Sequence, residues 1–126
     1  MGGLKTYLAT FAIAMTLSGP VSADEALLRA FANCAGQMSA EMEHQWLLSD
    51  PEADRTEQRR DAVLSVLEAI MPADRGRDVL SWRIDAKMAQ AVLLQRGTFN
   101  DDPADAAWAR RHAETIIAGC NGLILS

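Results

Sequence analysis

The chain has 126 residues, enough for one domain, and a formal net charge of −5 at pH 7. Its 17 acidic residues outnumber its 12 lysines and arginines. A net negative surface repels nucleic-acid phosphates, and the arginines are interleaved with acidic residues in patterns typical of solvated helix faces. The composition therefore argues against a nucleic-acid-binding protein.

Residues 1–23 have the three parts of a Sec-type signal peptide. Lys5 supplies the positive charge, residues 7–17 are uncharged and apolar, and residues 21–23 are small enough for a cleavage site. The apolar run is shorter than the roughly 20 residues of a transmembrane helix, although an uncleaved membrane anchor is the alternative. We expect a periplasmic or secreted chain of residues 24–126, with no membrane attachment after cleavage. Cleavage removes one lysine and no acid, so the net charge becomes −6.

Cys34 and Cys120 are the two cysteines of the chain. In an oxidising compartment an isolated pair of cysteines usually joins, and the close C-x-x-C spacing of redox or metal pairs is absent. A bridge across so long a loop contributes roughly 4–5 kcal/mol in the chain-entropy model. The sequence therefore predicts a structural Cys34–Cys120 disulfide.

The first two predicted helices span about residues 24–48 and 50–71. In the first helix, apolar residues recur at steps of three and four, which is the helical signature: Leu28, Phe31, Ala35, Met38 and Met42. Asp50 followed by Pro51 marks the start of the second helix, and Pro72 marks its end.

The third predicted helix starts near Asp74 or Asp78 and runs to Arg96, with Gly97 as its terminating residue. Asp102 followed by Pro103 repeats the start signal, and the fourth helix extends to about Gly119. Short connections between four helices favour antiparallel neighbours. We therefore predict an all-α fold, a small up-down four-helix bundle or similar array, in which the disulfide joins the first helix to the last.

The third helix is apolar around most of its circumference, and Arg83, Lys87 and Gln90 form its one narrow polar stripe. A surface helix needs an apolar face only a little wider than 100°. Either this helix is central, or part of it meets a partner. Because tryptophan often anchors interfaces, we expect a protein partner or a second copy to bind through one set of residues. This candidate partner surface comprises Trp82, Ala86, Ala89 and Leu93. The alternative is that Trp82 packs under a loop.

Asp85 falls inside the apolar arc of the third helix. A buried carboxylate must be paired or hydrogen-bonded, or its pKa rises. The sequence therefore predicts a buried acid at Asp85, with either a functional or a purely structural role.

No catalytic motif, cofactor motif or metal-binding set stands out in the sequence. Glu41-x-x-His44 matches half of a di-iron signature, but no second copy exists and His44 is predicted to face water. Met42 and His112 are predicted at the same level of the bundle, so a haem or metal site there is the second hypothesis. We expect no catalytic residues, no cofactor and no metal, and a non-enzymatic protein-binding or structural module.

Overall fold

The computed structural model describes residues 2–3 and 22–125, so most of the predicted signal peptide lies outside the described residues. Four helices follow one another along the chain: α1 (Ala23–Leu47), α2 (Ala53–Ile70), α3 (Gly76–Phe99) and α4 (Pro103–Leu125). The part of the chain that the structure describes contains no strand. The predicted all-helical, four-helix fold is confirmed, and so is the link between its first and last helices.

The first helix, α1, is the central element of the core. It contacts each of the other three helices, and nine of its residues are buried, against at most four in any other helix. The five apolar residues that predicted this helix are all buried: Leu28, Phe31, Ala35, Met38 and Met42. Val63 and Leu67 of α2 and Val79 of α3 complete the core from the neighbouring helices.

The tightest pair of helices, α1 and α3, is parallel. Their shared direction is shown by two ion pairs between them, at successive levels of the pair. Arg75 donates to Glu25 at 3.0 Å near the start of both helices, and Lys87 donates to Glu43 at 2.6 Å further along. Helices that follow each other in sequence are antiparallel as predicted, but the main packing contact joins the first helix to the third.

Gly36 is the point at which α1 and α3 approach most closely. A Cβ atom at this position would lie 2.1 Å from the backbone oxygen of Arg83 and 3.0 Å from the backbone nitrogen of Lys87. Both obstacles are backbone atoms, so no side-chain rotation can relieve the clash. Glycine is therefore required for this distance between the helices, whatever its cost in helix propensity.

The remaining helices pack so that α2 lies on α1, and α4 lies mainly on α3 with smaller contacts to α1 and α2. No Cα atom of α2 comes within 8 Å of one in α3. The Cys34–Cys120 disulfide joins α1 directly to α4, with the two Cα atoms 5.5 Å apart. Both cysteines belong to the buried cluster, so the bridge lies inside the core.

Two helix C-termini differ from the sequence-based expectation, and α2 begins at Ala53, two residues after the predicted first helical residue Pro51. Gly97 lies inside α3, where a Cβ would come within 2.8 Å of the Arg110 side chain. Its role is therefore to let α4 approach, and the prediction that it terminates the helix was wrong. Likewise, α4 continues past Gly119 to Leu125. The start of α4 is as predicted, because Asp102 accepts hydrogen bonds from the amides of Ala104 and Asp105.

We predict that Gly36→Ala lowers the free energy of unfolding by about 3 kcal/mol, because a methyl group forces α1 and α3 apart. Gly119→Ala is the matched control, since a Cβ there meets no atom within 4 Å. It should raise the free energy of unfolding by roughly 0.5–1 kcal/mol through helix propensity. Urea denaturation measures both values, and equal effects of the two substitutions would contradict the close approach.

Candidate protein-binding surface

Four large apolar side chains lie exposed in a row along α3, and we call them the outer face of α3. Their exposed fractions are 53% for Leu80, 48% for Ile84, 64% for Met88 and 54% for Val92. Since residues four apart in a helix are neighbours on its surface, these side chains form one continuous ridge. The ridge extends over more than three helical turns on the solvent side of the bundle.

The outer face is exposed because the opposite side of α3 is the one that packs inward. The buried residues of α3 are Val79, Gln90 and Gly97. The polar stripe of Arg83, Lys87 and Gln90 therefore points toward α1 and α4, with Gln90 only 1% exposed. The Nε2 atom of Gln90 donates to the carbonyl oxygen of Ala113 at 3.2 Å and to Glu41 at 3.5 Å. These bonds satisfy the NH2 group of the buried amide, whereas its Oε1 atom is buried without a hydrogen-bond partner among the described residues.

The predicted partner surface is mostly covered. Trp82 is half-buried against the core cluster, and its ring is flanked by the guanidinium groups of Arg29 at 5.0 Å and Arg75 at 5.4 Å. Ala86 and Leu93 are also half-buried, and Ala89 is exposed. Helix α3 does leave apolar surface in solvent, but mainly on the side of Leu80 and Met88 rather than the side of Trp82.

The prediction of a buried acid at Asp85 was wrong. Asp85 is exposed, because α3 lies at the edge of the bundle and turns this side away from α1 and α4. Its carboxylate borders the outer face. The apolar residues around it in the sequence are themselves exposed, so the apolar arc was not evidence of burial.

A shallow groove runs beside the outer face, along the seam between α1 and α3. Close to Gly36 it is lined by Leu80 and Ile84, and further along by Ala91 and by Leu47 of α1. Its two depressions have volumes of about 170 and 130 Å³, below the 300–1,000 Å³ typical of small-molecule sites. Charged side chains also border the groove, namely Arg83, Lys87 and Glu43, so it extends the ridge as a mixed surface whose volume is below that of a cofactor pocket.

Met42 and His112, the residues of the metal or haem hypothesis, have separate environments. Met42 is buried, and its sulfur accepts a hydrogen bond from Arg60 at 3.3 Å. His112 is exposed, and its ring stacks on Trp108 at 3.7 Å between centroids. Within residues 22–125 no group of three or more histidine, cysteine or acidic side chains is arranged to hold a metal ion.

A small polar cluster joins α1, α3 and α4 next to the groove, since His44 borders both. His44 is half-buried there, contrary to expectation, and its Nε2 shares a hydrogen bond with Thr98 at 2.9 Å. Partial burial raises the pKa of the Glu41 carboxyl above its ordinary value near 4.5. The hydrogen bond from Gln90 lowers this pKa, and the charges of Asp50 and Glu114 raise it further.

We predict that Glu41→Gln makes the protein more stable than the wild type at pH 7, by an amount that vanishes near pH 4. The folded state holds the Glu41 proton more tightly than the unfolded state, so its stabilising contribution is complete below about pH 4.5 and is lost as the pH rises. Glutamine has no such proton to lose. Urea denaturation from pH 4 to pH 8 measures the difference, with Glu68→Gln on exposed α2 surface as the control. A difference independent of pH would contradict the raised pKa.

No helix of the described residues is both long enough and apolar enough to cross a membrane. No protein-family model, curated protein or solved structure matches the chain. The geometry of the chain itself is therefore what bears on its function, and its most distinctive feature is the outer face of α3.

Proposed function

We propose that the mature chain is an exported, non-enzymatic module that binds another protein molecule through the outer face of α3. The observation that carries this proposal is the row of half-exposed side chains at Leu80, Ile84, Met88 and Val92. Four side chains of this size present roughly 400 Å² of apolar surface, the size of the largest apolar patch on a typical monomer, and such patches are often functional. A partner that covers this ridge removes it from water.

The shape of the outer face suits a helical partner. Residues spaced four apart form the ridges that interdigitate when two helices pack against each other. The groove between α1 and α3 lies directly beside the ridge and has small side chains, Ala40 and Ala91, on its two walls. A helix laid along this surface would contact the ridge with one side and the groove with the other.

The bundle holds this surface rigidly. Backbone contact at Gly36 fixes the distance between α3 and α1, and the disulfide fixes α1 against α4. A surface on such a scaffold needs little ordering when it binds, so less of the interaction free energy is lost to entropy.

Export is the second part of the proposal, and two independent features support it. Residues 1–23 have the pattern of a cleaved signal peptide. The Cys34–Cys120 disulfide is a bond that persists in oxidising compartments and is rare in the cytosol. We therefore propose a periplasmic or secreted location for the domain.

We predict that Met88→Glu reduces binding to the partner at least tenfold while leaving the fold intact. Met88 is the most exposed of the four side chains, so the charge stays hydrated in the free protein and is desolvated in the complex. The assay is photocrosslinking in exporting cells from a photoreactive amino acid at Ser81, which is exposed next to the ridge.

Gln58→Glu on the exposed surface of α2 is the matched control, because it adds the same charge away from the ridge. Its crosslinking yield should equal that of the unsubstituted protein, and circular dichroism should show equal helix content in all variants. Equal yields from Met88→Glu and Gln58→Glu, or no crosslinked product at all, would contradict the proposal.

A further inference from the structure

We infer that the partner at the outer face is a second copy of this chain, packed α3 against α3 in a parallel orientation. This inference rests on the proposed function and adds the identity and the direction of the partner. It follows from the distribution of charge on the two sides of the apolar ridge.

The ridge of α3 separates a basic flank from an acidic flank. At about 100° per residue, Arg83 and Lys87 fall on the side of the ridge that faces α1, whereas Asp78 and Asp85 fall on the other side. Lys87 is paired with Glu43, and Asp78 is paired with Arg75. Arg83 and Asp85 have no ion-pair partner among residues 22–125. Each copy therefore presents one unpaired charge of each sign beside Ile84, and a further unpaired cation, the exposed Arg77, lies at the start of the ridge.

The symmetry of a homodimer decides which flanks meet. Most homodimers have a two-fold axis, and each surface patch then packs against its own copy. If the axis runs along the helices, the two copies of α3 are parallel and each basic flank faces the acidic flank of the other copy. If the axis is perpendicular to the helices, they are antiparallel and like flanks meet. The charges at Arg83 and Asp85 therefore favour the parallel pair.

The positions of these two charges along the helix also fit the parallel pair. Arg83 and Asp85 are two residues apart, a rise of about 3 Å, so each arginine lies nearly level with the aspartate of the other copy. Both residues flank Ile84, the second of the four ridge side chains. Ridges with a four-residue spacing favour a crossing angle of about −50° between the helices, so the contact is limited to a short stretch of each helix.

The area of the outer face indicates how tightly two copies should bind each other. The ridge supplies roughly 400 Å² per copy, about half of the 800 Å² per partner in a standard-size interface, so the contact belongs with weak, transient complexes. We therefore expect a reversible dimer with a dissociation constant on the order of micromolar. The net negative charge of each copy acts against association, but the ridge itself carries no charge.

The test is sedimentation equilibrium of the disulfide-bonded protein purified from exporting cells, over a range from micromolar to millimolar. The unsubstituted protein should dimerise reversibly. Asp85→Arg and Arg83→Asp should each weaken dimerisation at least tenfold, because each places like charges opposite one another. The double variant, Asp85→Arg with Arg83→Asp, should restore it. Asp101→Arg, exposed before α4, is the control for added charge and should behave as the unsubstituted protein.

Three results would overturn the inference. Stronger dimerisation of Asp85→Asn would show that like flanks meet, as in an antiparallel pair. If no substitution at position 83, 85 or 88 changes the dissociation constant of the dimer, the interface lies elsewhere. A protein that stays monomeric at every concentration would exclude a second copy as the partner. In that case the crosslinking from Ser81 decides whether the outer face binds a different protein. A Met88-dependent product with a different protein leaves the proposed function intact, whereas no product overturns both.

Discussion

The backbone contact between α1 and α3 at Gly36 is the constraint on which the rest of the structure depends. A missing side chain lets the two helices approach until a Cβ would lie 2.1 Å from the Arg83 carbonyl oxygen. Because these two helices come so close, the parallel pair of α1 and α3 is the main contact of the fold. In most bundles the main contacts join antiparallel helices that follow one another in the sequence. The contact at Gly36 also fixes the rotation of α3, since the side of the helix that carries Arg83 and Lys87 must face α1. The outer face of α3 is exposed as a consequence.

The interior of the bundle accepts a polar residue to achieve this arrangement. Gln90 is almost fully buried and donates to Ala113 and Glu41, while Leu80, Ile84, Met88 and Val92 remain in solvent. Burying an amide and exposing aliphatic side chains is unfavourable for an isolated chain. Under the proposed function, a partner that covers the ridge offsets this cost. The disulfide in the core adds stability that a small core lacks.

Much of the fold follows from local sequence signals. The apolar residues of α1 recur at helical spacing and are buried, Asp102 caps α4, and the two cysteines join as their number and presumed compartment suggested. The orientation of α3 does not follow, because this helix is apolar on two sides and periodicity gives no preference between them. Trp82 therefore looked like an interface anchor, and Asp85 like a buried acid. Which side turns inward depends on the contacts of Gly36 and Gly97 with other helices, and a single helix pattern contains no information about such contacts.

The exposed ridge of α3 is the central claim, and methionine oxidation tests it most directly. Met88 belongs to the ridge, whereas Met38 and Met42 are buried in the core. Dilute native protein is treated with peroxide, and mass spectrometry follows each methionine against the same peptides in denatured protein. Met88 should oxidise at nearly its denatured rate at low protein concentration, while Met38 and Met42 should be strongly protected. Protection of Met88 equal to that of Met38 in dilute monomer would show that the ridge is buried within the chain, and would contradict the account.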